Sequence, residues 1–157
     1  MNNRFLGKLI DFKKLPKNEN GEILCRWCSK AVKPPRRTMC SAECAHEIRI
    51  RTSNKYLREC IFKRDNGICE ICNLDTKLLA KTALNLDIEK KSKFLIEHNI
   101  SLKRKIWKRK FGGGLWDADH ILPVKDGGGS CDLGNLRTLC ISCHKLVTAS
   151  TKKNSFF

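Results

Sequence analysis

The sequence predicts an α+β fold, and three observations lead to that expectation. The last third of the 157-residue chain has the pattern of a strand, a loop, a second strand and a helix, between residues 115 and 149. Apolar residues at helical spacing run through residues 42–64 and again through residues 78–111. Four close pairs of cysteines punctuate these elements. Together they predict a small domain of helices and two strands whose core is reinforced by bound metal.

Two helical stretches are predicted before the last third of the chain. Residues 1–24 are interpreted as an N-terminal arm. Ser41 is a suitable N-cap, and one or two helices are expected from there to Arg64, with a break near Ser53. The stretch 78–111 is expected to be helical as well, with an apolar stripe on one face and basic residues on the other.

The last third is predicted to contain both strands. Residues 115–124 are mainly apolar and are stopped by Pro123, which suits a strand end. Residues 125–132 include three consecutive glycines and predict a flexible loop. A second strand is expected at 135–140, and a helix from about Ser142 to Ala149.

The cysteine pairs indicate zinc. No run of residues has the length and apolar character of a membrane span or a secretory signal, so a soluble, intracellular and reducing setting is expected. Tetrahedral zinc takes four thiolates, so four pairs make two structural sites. The pairs can be combined in three ways, and proximity in sequence favours one. That choice gives Cys25, Cys28, Cys40 and Cys44 as the first site and Cys69, Cys72, Cys140 and Cys143 as the second, with Cys60 and Cys131 left over.

Two alternatives to this assignment remain open. The cysteines could be free buried thiols, although four repeated pairs make that the weaker interpretation. His46 could replace one cysteine in the first site, although a surface or core histidine is favoured where four cysteines are already present.

The charge predicts a polyanionic partner. The chain has 32 lysines and arginines against 16 acidic residues, a formal charge of +16. Residues 26–64 hold eleven basic and three acidic residues, and residues 74–111 hold eleven and four, whereas residues 115–157 hold five and four. Nucleic acid is favoured over a merely solvated surface. The candidate DNA-binding residues are Arg36, Arg37, Lys103, Arg104, Lys105, Lys108, Arg109, Lys110 and Arg137. An RNA-binding zinc protein is the weaker alternative, because no aromatic platform for bases is evident.

Four polar residues of the last third form a candidate site. Asp119 and His120 are adjacent in the first strand, Asn135 opens the second strand, and His144 lies in the helix. Each alone has an ordinary explanation, as a turn or capping residue, a buried polar group, or an alternative zinc ligand beside Cys143. Their joint occurrence with the paired cysteines, at the positions that the family resemblance described next gives them, favours a catalytic site.

The motifs of this region resemble the HNH nucleases, a branch of the ββα-metal endonucleases. The match runs through Arg64-Asp65-Asn66-Gly67-Ile68-Cys69-Glu70-Ile71-Cys72, Asp119-His120-Ile121 with Pro123, Gly128-Gly129, Asn135-Leu136 and Leu139-Cys140-Ile141-Ser142-Cys143-His144. The resemblance covers about residues 56–149. The 46 residues between Cys72 and Asp119 exceed the usual spacing, so the basic helical segment is interpreted as an insert.

The resemblance implies a metal-dependent DNA endonuclease. His120 would be the general base, and Asp119 and His144 would hold one catalytic Mg²⁺ or Mn²⁺. Asn135 would hold the loop or orient His120. The products would carry 5′-phosphate and 3′-hydroxyl ends. The alternative is a zinc-stabilised DNA-binding or targeting module whose HNH site is inactive.

The first cysteine cluster extends the resemblance. Cys-Arg-Trp-Cys and Arg-Arg-Thr-Met-Cys-Ser-Ala-Glu-Cys are similar to the C-terminal region of vertebrate annealing helicases that carry a Ran-binding-type zinc finger. This implies nuclear DNA repair at branched or replication-fork DNA. It also implies an SNF2-type ATPase motor, in the same chain or in a partner chain, because no Walker A motif is present here. Residues 4–8 lie one residue from a short sliding-clamp motif, and clamp binding is only weakly predicted.

The predicted domain organisation follows from these motifs. Residues 1–24 form the arm and residues 25–50 the four-cysteine zinc finger. Residues 51–150 form the HNH domain, with the basic helical insert at about 74–111. Residues 151–157 form a C-terminal tail.

Overall fold

The structure divides into two compact units. The computed structural model describes residues 11, 14–101, 114–129 and 132–153. The N-terminal unit is Met1–Leu57 and the C-terminal unit is Arg58–Phe157. The domain boundaries predicted from the sequence stay predictions.

The regular elements bear out an α+β fold. Within the described ranges, the structure contains α1 (Ala42–Thr52), α2 (Asn54–Asp65), α3 (Thr76–Leu84), α4 (Ile88–Glu97), β1 (Trp116–His120), β2 (Leu136–Cys140) and α5 (Ile141–Lys153), with short 3₁₀ turns at Val124–Asp126 and Leu133–Asn135. None of the helices in this part of the chain has both the length and the apolar character needed to cross a bilayer.

The helix boundaries follow from capping side chains. Ser41 caps α1 as predicted, accepting a hydrogen bond from the Cys44 backbone N–H at 3.2 Å. The expected break falls at Ser53, between α1 and α2. The helical stretch expected at residues 78–111 is divided, because α3 ends at Leu84 and α4 begins at Ile88. Asp75 caps α3 by accepting the Lys77 and Leu78 backbone N–H groups, and Asp87 caps α4 by accepting that of Lys90.

The N-terminal unit is built around its cysteine turn. Isolated bridges join Lys17 to Ile23 and Leu24 to Ala31, so the chain enters and leaves the turn side by side. The Ser29 backbone N–H donates to the Cys25 carbonyl at 2.9 Å and closes the turn. A small apolar cluster of Cys25, Val32 and Cys44 lies beneath it, with Ile23, Trp27, Met39 and Cys40 packed around it.

The C-terminal unit places a two-stranded antiparallel sheet beside α5. β1 pairs with β2 so that Trp116 lies opposite Cys140 and His120 lies opposite Leu136. Because the chain passes directly from β2 into α5, the sheet and the helix form a ββα arrangement. The main core of the unit consists of Leu79, Ala80, Ala83, Leu95, Ile100, Leu115 and Ile141.

Arg64 fastens the end of α2 to the chain that enters β2. Its guanidinium donates to the carbonyls of Leu133 and Leu136, each at 2.7 Å. It also forms a two-pronged hydrogen bond with Asp65, at 2.6 and 2.9 Å. Asp65 in turn accepts the Thr138 hydroxyl at 2.8 Å. These contacts set the position of β2 relative to α2.

Candidate active site and metal centres

The first cysteine cluster has the geometry of a tetrahedral thiolate site. The Sγ atoms of Cys28, Cys40 and Cys44 are separated by 3.4, 3.5 and 3.7 Å. Cys25 completes the cluster, and all four Sγ atoms lie within 4.8 Å of one another. A zinc ion with bonds of about 2.3 Å separates its thiolates by about 3.8 Å. The residues therefore fit zinc.

The second cluster joins two segments that are distant in sequence. Cys69 and Cys72 lie in the turn after α2, Cys140 ends β2, and Cys143 lies in the first turn of α5. Their Sγ atoms also lie within 4.8 Å of one another, and Cys72 and Cys140 are 3.7 Å apart. Leu139, Leu74 and Val147 pack against the cluster, so metal binding here would hold β2 and α5 to the rest of the unit.

The thiol pKa values indicate how a cation would stabilise each cluster. Burial raises the pKa of Cys25, but backbone N–H groups of Cys28, Cys40 and Trp27 outweigh it and lower that pKa to about 6. In contrast, hydrogen bonds with the Cys28 and Cys44 thiols raise the pKa of Cys40 to about 12. One thiolate forms readily, and its charge opposes ionisation of its neighbours. A divalent cation removes that opposition.

The second cluster behaves in the same way. Burial raises the pKa of Cys69, but backbone N–H groups of Cys140, Cys72 and Ile71 lower it to about 7. Burial, together with the neighbouring thiols, raises the pKa of Cys143 far above its usual range. The two four-cysteine clusters could therefore each hold a zinc ion.

The candidate active-site residues line one cleft. Asp119 and His120 reach it from β1 and His144 reaches it from α5. The cleft has a volume of about 390 Å³, and its other walls are Ala118, Ile121, Pro123, Val124, Val147, Thr148 and Thr151. The ββα arrangement thus brings together an acid and two histidines that are up to 25 positions apart in the sequence.

Asp119 is held on one side and faces His144 on the other. Arg137, directly opposite on β2, donates from Nε to Asp119 Oδ2 at 2.9 Å. The other carboxylate oxygen, Oδ1, lies 3.7 Å from His144 Nε2. Arg137 also lies 3.7 Å from Glu70. Its guanidinium is therefore engaged with two carboxylates.

Asp119 and His144 lie close enough to share a divalent ion after a small movement of their side chains. An octahedral ion with bonds of about 2.1 Å separates neighbouring ligand atoms by about 3.0 Å and opposite ones by about 4.2 Å. The observed 3.7 Å is about 0.7 Å longer than the distance between neighbouring ligands, so a shared ion would draw the two side chains slightly together. A carboxylate oxygen and an imidazole nitrogen are suitable ligands for Mn²⁺ or Mg²⁺, with the remaining positions left to water or phosphate.

Asn135 closes the loop that follows β1. Its amide nitrogen donates to the carbonyls of Leu122 and Gly128 at 3.1 and 3.2 Å, and its Oδ1 accepts the Leu122 N–H at 2.7 Å. The Asn135 backbone carbonyl accepts the Ile121 N–H at 2.9 Å. These contacts favour the loop-holding role over direct orientation of His120.

The sequence analysis missed Asp117. Its Oδ2 lies 3.4 Å from His144 Nδ1, and its Oδ1 lies 3.7 Å from Arg58. Strand periodicity could have found it, because residues two apart on a strand share a face and Asp117 precedes Asp119 by two. Arg58 lies in α2, and no local sequence pattern links it to the site.

Other predicted residues lie in different surroundings. Arg36 and Arg37 are exposed beside a groove of about 420 Å³ in the N-terminal unit. His46 contacts the Tyr56 hydroxyl through Nδ1 at 2.9 Å. Lys103, Arg104, Lys105, Lys108, Arg109 and Lys110, together with the leftover Cys131, lie outside the described residues, as do residues 1–10 of the predicted arm.

Comparisons with known proteins identify the family of this chain. The HNH endonuclease family matches residues 107–150, which include β1, β2 and most of α5. The chain is also similar to the human ZRANB3 HNH domain, whose crystal structure is known. The two are 34% identical, the match covers 86% of that domain and 61% of this chain, and the TM-score is 0.48. The chain belongs to the HNH endonuclease family.

Its curated relatives include the DNA annealing helicase and endonuclease ZRANB3 of several mammals. The mouse protein is 34% identical over 158 residues, which is 87% of this chain and 14% of that protein. The bovine protein is 37% identical over 123 residues, or 73% of this chain and 11% of that protein. The chain therefore spans about a seventh or less of the length of these relatives.

Proposed function

We propose that the protein is a metal-dependent DNA endonuclease that hydrolyses phosphodiester bonds. Family membership supports a nuclease-type function. The observation that carries the specific proposal is the convergence of Asp119, His120 and His144 on one cleft. A module that only bound DNA would have no need of this combination of groups.

The chemistry requires a base and a source of positive charge. A phosphodiester is an anion, so water attacks it only when a base removes a proton and the growing negative charge is stabilised. His120 lies on the cleft wall and would take that proton on an imidazole nitrogen. Asp119 and His144 would hold Mg²⁺ or Mn²⁺, which supplies the positive charge when bound. Asn135 would keep the loop beside His120 in place.

The protein's charge supports DNA as the substrate. The +16 formal charge favours contact with the phosphate backbone without sequence preference. By analogy with the mammalian relatives, the substrate would be branched or fork-type DNA, cut in the nucleus by a chain that works with an ATPase motor. Hydrolysis would leave 5′-phosphate and 3′-hydroxyl ends, as the family resemblance implies.

A substrate panel tests the proposal. Zinc-loaded protein is incubated with end-labelled fork, flap and duplex DNA in Mg²⁺, in Mn²⁺ and without a divalent ion. We expect cleavage only with the divalent ion, and the order of rates gives the preferred structure. DNA binding without cleavage in any condition would contradict the proposal for this chain. If supplying an SNF2-type motor and ATP did not restore cleavage, a targeting module would be the better conclusion.

A further inference from the structure

His144 lies between two carboxylates. Its Nδ1 is 3.4 Å from Asp117 Oδ2, and its Nε2 is 3.7 Å from Asp119 Oδ1. Both carboxylates are largely shielded from water, with side chains 19% and 11% exposed. Each ring nitrogen of His144 therefore faces a carboxylate, whereas the sequence predicted only Asp119 as its neighbour.

An arginine contacts the second oxygen of each carboxylate. Arg137 donates to Asp119 Oδ2 at 2.9 Å, and Arg58 Nη1 lies 3.7 Å from Asp117 Oδ1. Arg58 is held in place elsewhere, since it donates to the Trp116 carbonyl at 2.9 Å and lies 4.0 Å above the Trp116 ring. Each carboxylate keeps its other oxygen facing His144, and the contact with Asp117 is the shorter of the two, at 3.4 Å against 3.7 Å. Asp117 is therefore the nearer acceptor for a proton on His144.

The position of that proton decides what His144 can bind. A neutral imidazole carries one N–H and one lone pair, on different nitrogens. A proton on Nε2 would point at Asp119 and exclude a metal ion from the space between them. A proton on Nδ1 would point at Asp117 and leave the Nε2 lone pair facing Asp119.

We propose that Asp117 is a positioning residue that accepts the Nδ1–H of His144 and so presents the Nε2 lone pair toward Asp119. Carboxylates that orient metal-binding histidines act in this way in other proteins. The metal-binding consequence rests on the proposed function. The location of the proton does not, and it can be measured on zinc-loaded protein without any catalytic ion.

The first test reads the proton directly. Histidine side chains labelled with ¹⁵N are observed by NMR at about pH 9, where an ordinary imidazole is neutral, and His144→Gln identifies the signal. We expect Nδ1 to be protonated in the wild type, and Asp117→Ala to move the proton to Nε2. Asp117→Asn retains an oxygen acceptor and should keep the wild-type form in part. A wild-type ring protonated on Nε2, or on both nitrogens, would overturn the proposal even if the variants did not fold.

The second test measures the effect of Asp117 on metal binding. Mn²⁺ binding is measured by calorimetry on wild type, Asp117→Ala and the exposed-loop control Asp126→Asn, all with two zinc ions bound. We expect Asp117→Ala to weaken binding by about 10- to 100-fold and the control to match wild type. Equal affinities for wild type and Asp117→Ala would overturn this inference alone. A wild type that neither binds Mn²⁺ nor cuts DNA would instead contradict the proposed function.

Discussion

Arg137 Nε donates a hydrogen bond to Asp119 Oδ2 at 2.9 Å, from the position directly opposite on the neighbouring strand. The side chain is only 18% exposed and also lies near Glu70. From its charge alone, Arg137 was expected to contact DNA. Its surroundings indicate instead that it steadies the carboxylate that would hold the divalent ion.

Arg137→Gln should therefore impair cleavage more than DNA binding. Loss of a group that orients a metal-binding carboxylate costs about 10- to 100-fold in activity, so cleavage should fall by that amount. The affinity for DNA and its salt dependence, measured by fluorescence anisotropy, should match those of Lys77→Gln, which removes an equal charge from the exposed face of α3. A selective loss of about one unit in the salt slope for Arg137→Gln would show a phosphate contact instead.

Gly128→Ala should destabilise the loop after β1. A Cβ atom at Gly128 would lie 1.9 Å from the Leu122 carbonyl oxygen and 2.8 Å from the Asn135 amide nitrogen. Since the first of these is backbone, the loop must move, at a cost of about 1–3 kcal/mol. Gly129→Ala is the control, because its Cβ meets only the Val124 side chain at 3.0 Å. Urea unfolding should separate the two variants, and equal stabilities would show that the loop is not tightly closed.

Each cysteine cluster should hold one zinc ion independently. Cys28→Ser and Cys72→Ser should each reduce bound zinc from two equivalents to one, whereas Cys60→Ser, outside both clusters, should retain two. Because the second cluster ties β2 and α5 to the preceding turn, Cys72→Ser should also lose cooperative unfolding of the C-terminal unit. Zinc analysis and circular dichroism check these expectations. Full retention of both ions by Cys28→Ser and Cys72→Ser would contradict the assignment.

Asp65 should stabilise the fold throughout the neutral range. Burial raises the pKa of this carboxyl, but hydrogen bonds from Arg64 and Thr138 outweigh burial, and the net pKa lies below its usual range. A lowered folded-state pKa means that the stabilisation is present above the unfolded-state pKa of about 3.9 and is lost as the pH falls through the folded-state value.

The pH dependence of Asp65→Asn tests this assignment. The difference in unfolding free energy between wild type and Asp65→Asn should stay constant from pH 7 to pH 5 and decrease only below about pH 4. Urea unfolding at fixed free zinc provides the measurement. A difference that instead grows as the pH falls from 7 to 5 would show that the folded-state pKa is raised rather than lowered.

Local patterns predicted much of the fold. Ser41, with its side-chain oxygen, marks the start of α1, and the sequence break near Ser53 marks its end. Pro123 and the following glycines mark the end of β1 and the loop. The division between α3 and α4 was less evident, because apolar residues continue at helical spacing through this segment. The division depends on Asp87, whose side chain accepts the Lys90 backbone N–H and so begins a new helix.

The candidate site was predictable only where residues carry a recognisable motif. Asp119, His120, Asn135 and His144 stand at family positions, and the fold brings three of them to one cleft. Asp117 and Arg58 were missed because their roles arise from tertiary contacts, across 27 positions to His144 and 58 positions to the Trp116 carbonyl. Charge alone likewise could not show that Arg137 faces Asp119 rather than solvent.

The most direct test of the account is the single-turnover cleavage rate of His120→Ala. Wild type and variant are compared at saturating protein and Mn²⁺ on the preferred DNA structure, after both have been shown to bind two zinc ions and the DNA equally. Removal of a general base should lower the rate by about 10²- to 10⁴-fold. A folded, zinc-loaded His120→Ala protein that cuts at the wild-type rate would contradict the assignment of this cleft as the active site.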